Sequence, residues 1–177
     1  MLWSAQVKSQ EIIPAGQWNS QTREWAVKAV VKERDFPVTT EEDPVQFVQD
    51  TKQEYAAILF VLRNRWLKYQ KEYPTFQGMI RAYCTGLKKA YTPRHRWIWE
   101  LDLFGGKPKH FPKNDSWAKY GEAMVNLVVP TVDAWVRGEI PDPYNGRAYH
   151  FGSETDPHLN RPLPHIRGFR NRYYKDQ

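Results

Sequence analysis

The sequence predicts a mainly α, single-domain protein. Three observations carry that reading. Apolar residues recur at helical spacing in long stretches. No alternating run extends beyond a few residues. The 177-residue chain, 41% hydrophobic with eight tryptophans, is long enough to bury one sizeable core.

Residues 1–19 hold Pro14, Gly16 and Asn19 without a sustained period and read as an N-terminal arm. The domain is expected to run over 20–152. Ala26, Val27, Val30 and Val31 give one buried face to a helix from about Ser20 to Glu33. Phe36 to Asp43 reads as a loop. Asp43 followed by Pro44, with Gln46 three residues on, marks the start of a long helix. Val45, Val48, Tyr55, Ile58, Leu59, Leu62, Trp66 and Tyr69 make residues 44–70 the central buried helix.

A shorter helix is expected after Thr75, burying Met79, Ile80 and Tyr83 and ending at Gly86. Residues 86–114 read as irregular, with the cluster Thr92 to Trp99 as one wall of a groove. The last strong helix spans about Ser116 to Arg137, with Pro130 expected to kink or split it and Gly138 to stop it. Arg147 to Phe151 fits a small strand. Residues 153–177 form a basic tail. There is no internal repeat and no low-complexity segment.

A formal net charge of +6 and a pI near 9.4 favour anionic partners, whether nucleic acid, wall polymers or an acidic protein surface. The lone Cys84 excludes an internal disulfide framework. No stretch approaches the roughly 20 apolar residues of a membrane span, and Met1 to Lys8 lacks a basic start followed by an apolar core, so no signal peptide is expected. His95, His110, His150, His158 and His165 show no metal-ligand spacing, so neither a metal nor a cofactor is expected. No phosphate-binding Gly-Lys-Ser/Thr loop and no Gly-x-Ser-x-Gly elbow occurs. Cys84 reads as buried filler beside Met79 and Ile80.

Three segments stand out as a candidate site. Ala29 to Arg34 places Glu33 just beyond the last apolar turn of its helix. Ala57 to Arg65 is an apolar helix ending in Asn64-Arg65, and Asp142 to Gly152 is a turn-rich segment leading to Tyr149-His150-Phe151. Delivering a proton to a glycosidic oxygen near neutral pH requires a carboxylic acid whose pKa is raised by apolar surroundings. A helix end beside a core supplies such surroundings. The ordinary roles are plainer: a solvated helix-end carboxylate for Glu33, polar groups leaving the core for Asn64 and Arg65, and turn formers for Asp142-Pro143 and Asn145-Gly146.

Together the three segments resemble the SleB-like cell wall hydrolases, in a divergent form typical of phages, over about residues 24–152. The resemblance implies a lysozyme-like fold and a peptidoglycan-cleaving muramidase or lytic transglycosylase with Glu33 as its acid. It implies a supporting role for the Asn-Arg pair, with Asn64 orienting the site backbone and Arg65 pairing with a carboxylate. Tyr149, His150, Asn145 and Trp97 are the candidate substrate contacts. Arg147 stands where the family commonly has Ala, and the stretch 35–53 resembles an insertion, which leaves Glu41, Glu42 or Asp43 as alternative acids. Such an enzyme would act on glycan strands of the bacterial wall, from a phage virion or from the host cytoplasm before release.

The other reading is a non-enzymatic virion or assembly protein. Its support is the tail, where Arg161, Arg167, Arg170, Arg172 and Lys175 interleave with Phe169, Tyr173 and Tyr174. Such a segment can lie on nucleic acid or dock on a virion partner.

Overall fold

The computed structural model describes residues 11–38, 43–88, 93–112, 116–152 and 161–176. The alternative acids Glu41 and Glu42 lie outside the described residues. The chain is mainly helical, in the order α1 (Ser20–Arg34), α2 (Pro44–Lys68), α3 (Phe76–Tyr83), α4 (Thr85–Lys88), α5 (Arg96–Trp99), α6 (Ala118–Ala123) and α7 (Val129–Val136). A two-stranded sheet of β1 (His150–Gly152) and β2 (Arg172–Tyr174) follows.

Each long helix starts where a side chain satisfies an otherwise unpaired first-turn N–H. The Asn19 carboxamide oxygen accepts from Thr22 N at 2.9 Å, Asp43 from Gln46 N at 3.0 Å, and Thr75 from Gly78 N at 3.0 Å. Helix α2 is the central element, in contact with α1, α3 and α7. Tyr55, Ile58, Leu59 and Leu62 on it are fully buried, but Val45 is 71% exposed and Phe47 is buried in its place. Leu62→Ala is expected to destabilise the protein by about 2–5 kcal/mol in a urea titration, because the cavity opens where three helices meet.

The last helix continues through Pro130, whose missing N–H interrupts the regular bond pattern without ending it. The chain widens into a π-helical turn over Met124–Val128 before α7 resumes. The described part of 86–114 is less irregular than expected. It contains α5 and a 3₁₀ turn at Pro93–His95, and its Phe111 closes an aromatic cluster with Phe36, Trp97, Trp117 and Tyr120.

Both ends of the chain differ from the sequence reading. Residues 11–19 of the expected arm belong to the core: Ile13 is buried, Arg63 donates to Ile12 O at 2.7 Å, and Trp18 packs on Phe76 and Trp135. The boundary expected at 152/153 is crossed by the sheet. β2 lies antiparallel to β1, pairing His150 with Tyr174 and Gly152 with Arg172. Leu163, Phe169, Tyr173 and Tyr174 are buried, so described residues 161–176 are a structural layer of the same domain. A segment with three aromatic rings among its cations can bury the rings while leaving charged heads in water.

Candidate functional site

Helix α1 ends at the candidate acid. Asp35 adopts φ 79°, which a helix cannot continue through, and its carboxylate accepts from Phe36 N at 2.8 Å. The turn holds Glu33 against the core with its side chain 16% exposed. Burial pushes its carboxyl above the ordinary carboxylate range, opposed in part by Lys32, whose ammonium lies 3.5 Å away, and by the Cys84 thiol within hydrogen-bonding reach. Cys84 is itself buried, and burial together with the Glu33 charge raises its thiol pKa, which keeps it a neutral donor.

One wall of the site comes from α4 and the turn before α5. Gly86 lies against the Lys32 side chain and the His95 ring, so that a side chain there would displace the Lys32 methylenes and press on the ring. Burial and the neighbouring Lys32 and Arg94 lower the His95 pKa, which favours the neutral imidazole.

The opposite wall comes from the end of α2 and the approach to β1. Asn64 donates to Ala148 O at 3.0 Å. Among the described residues Arg65 meets backbone and rings. Its guanidinium donates to Tyr149 O at 3.3 Å, contacts the His150 ring nitrogen at 3.2 Å, and stacks over Tyr83 at 4.3 Å.

Tyr83 joins the two walls. Its hydroxyl accepts from Phe151 N at 3.3 Å, its ring meets Phe151 edge-on at 5.3 Å, and it lies close enough to Glu33 to feel a charge on that carboxyl. Burial raises its pKa to about 12, so it stays protonated. The helical period marks Tyr83 only as an apolar-face residue; its link to Glu33 arises from the turn at Cys84, which no periodicity signals.

Glu33, Arg65 and His150 are thus gathered around Tyr83, while Asn64 is tied to Ala148, two residues before His150. Tyr149 belongs to the same strand approach, half-buried, with its N–H on Tyr174 O at 2.9 Å. Trp97 and Asn145 do not join them through any described contact. Trp97 packs between Phe36 and Phe111, and Asn145 occupies the φ 51° position of a turn in which Asp142 accepts from Tyr144 N and Gly146 N. A cleft of about 710 Å³ opens on another face, between α2, the π turn and α7, lined among others by Lys52, Leu127, Thr131 and Arg137.

The sequence reading missed Glu54. It is fully buried, forms an ion pair with the equally buried Arg34, and accepts from Arg170 N at 2.9 Å and Asn171 N at 2.8 Å. Its charge is committed to holding the structure. Among the described residues no group of three His, Cys, Asp or Glu is placed to hold a metal, and no helix is long and apolar enough to cross a membrane. Comparison with protein-family models, with curated proteins and with solved structures returned no match.

Proposed function

We propose that this chain cleaves the glycan strands of peptidoglycan, as a muramidase or lytic transglycosylase of lysozyme-like fold, with Glu33 as general acid and then base. The observation that carries the reading is the Glu33 carboxyl: held at a helix end, mostly buried, raised in pKa, and still partly open to a visitor. A raised acid delivers its proton to the leaving glycosidic oxygen as the bond to the anomeric carbon breaks. The resulting carboxylate then takes a proton either from the muramyl 6-hydroxyl as it closes an anhydro ring or from an attacking water.

A single acid fits the surroundings. Glu54 is enclosed by donors and cannot serve as the second carboxylate of a two-acid scheme. Tyr149 and His150, on the wall that Asn64 and Arg65 hold in place, are the sugar contacts in this reading. Exposed Arg161, Arg167 and Lys175 offer cations to an anionic wall polymer or to a virion partner. A purely binding role carried by the tail is less well supported, because Phe169, Tyr173 and Tyr174 are turned into the core.

Mass spectrometry of muropeptides after incubating the protein with purified peptidoglycan tests this directly. Release of fragments is expected, and anhydro or reducing muramyl ends distinguish the two outcomes of the second step. An undigested glycan after prolonged incubation would contradict the enzyme reading.

A further inference from the structure

The last carbonyls of a helix have no partners within it. At the end of α1 the carbonyls of its last two residues and of the Asp35 cap are satisfied from outside. Glu33 O accepts from Asn171 Nδ2 at 3.2 Å, Arg34 O from the Arg170 guanidinium at 3.2 Å, and Asp35 O from the Tyr55 hydroxyl. Two of these donors come from the C-terminal segment, more than 130 residues away in sequence.

Asn171 is the more specific of the two. Its amide nitrogen has two hydrogens and two described acceptors, Glu33 O and Glu54 Oε1, the latter at 3.0 Å. Its backbone N–H reaches the same Glu54 oxygen at 2.8 Å. Glu54 is anchored in turn by Arg34, whose guanidinium reaches back to Gly168 O at 3.4 Å. The circuit therefore runs from the acid's own carbonyl through Asn171 and Glu54 to the residue next to the acid.

We infer that Asn171, fixed by Glu54 and assisted by Arg170, is a positioning residue for Glu33: the C-terminal segment clamps the last turn of α1 and so sets where the acid's carboxyl stands. The inference rests on the reading of Glu33 as the acid. Without the clamp the terminal turn frays, as unsupported helix ends do, and the carboxyl gains water. A general acid that relaxes toward water loses both its raised pKa and its aim.

The test is a side-chain carboxyl titration of Glu33 followed by NMR in glutamate-labelled protein, with Glu33→Gln assigning the signal. Asn171→Leu keeps the side-chain volume and removes the donor. It is expected to move the Glu33 titration toward that of an ordinary glutamate and to slow strand cleavage at neutral pH about tenfold, with its alkaline limb displaced to lower pH. Arg170→Met, at an exposed position, is expected to give a smaller displacement in the same direction and keeps the test decisive if Asn171→Leu does not fold. A role confined to folding would lower the melting temperature and leave the Glu33 titration in place; that result, in whichever of the two variants folds, overturns the inference. Absence of cleavage by the unaltered protein counts against the enzyme reading alone, since the titration is read independently of activity.

Discussion

Ending the chain after Pro162 is expected to leave a protein that does not fold. The deletion removes β2, the only partner of β1 among the described residues. It strips buried Phe169, Tyr173 and Tyr174 from the core and takes from Glu54 the N–H donors of Arg170 and Asn171. Removing one large buried aromatic side chain costs about 3–5 kcal/mol, and uncovering a buried, hydrogen-bonded ion pair costs a comparable amount. Against a total stability of roughly 5–15 kcal/mol for a domain, the losses exceed what the rest can offset. Far-UV circular dichroism and a urea titration check this. The sequence alone suggests the opposite, an appendage whose loss spares cleavage. A truncated protein with an unchanged cooperative transition would restore that view.

The difference between the two views shows where a sequence is legible. The starts of α2 and α3 are written in Asp43-Pro44 and Thr75, because a cap acts over three residues. The interruption at Pro130 is equally local, a missing N–H in an otherwise apolar helix. The apolar face around Ile58, Leu59 and Leu62 follows from the helical period alone. Glu54 sits on that same helix beside Tyr55, and nothing near it in sequence balances its charge. Its partners lie at Arg34 and at 170–171, and long-range pairing of that kind leaves no periodic trace.

The tail misled for a related reason. Five cations mark a solvated segment, but the register that buries Tyr173 is set by β1, whose sequence carries only a three-residue strand. Around Glu33 the picture divides in the same way. Asn64 and His150 stand out by motif, and both lie next to the approach to β1, Asn64 on Ala148 O and His150 on Arg65. Tyr83 and Cys84 reach the acid through a turn between two short helices. The sequence neighbours of Trp97 suggest a groove wall, while its contacts are with Phe36 and Phe111, both distant along the chain.

Replacing the acid has the second large effect, and pH gives it a signature. Because burial raises the Glu33 pKa, the folded state holds this proton more tightly than the unfolded chain does. Ionising it therefore costs stability: the cost is absent below the unfolded carboxylate pKa and grows as pH rises from there through the folded one. Glu33→Gln is accordingly expected to melt at a higher temperature than the unaltered protein at neutral pH and at about the same temperature in acid. If Glu33 is the proposed general acid, cleavage should fall as pH rises through its folded pKa.

The most direct measurement is the rate of cleavage of soluble glycan strands by Glu33→Gln beside the unaltered protein, with strand binding measured on the same samples. The amide nearly matches the carboxyl in shape and cannot give up the required proton. The expected result is a rate lower by about 10²–10⁴-fold with binding retained. A rate near that of the unaltered protein would contradict the assignment of Glu33 as the acid.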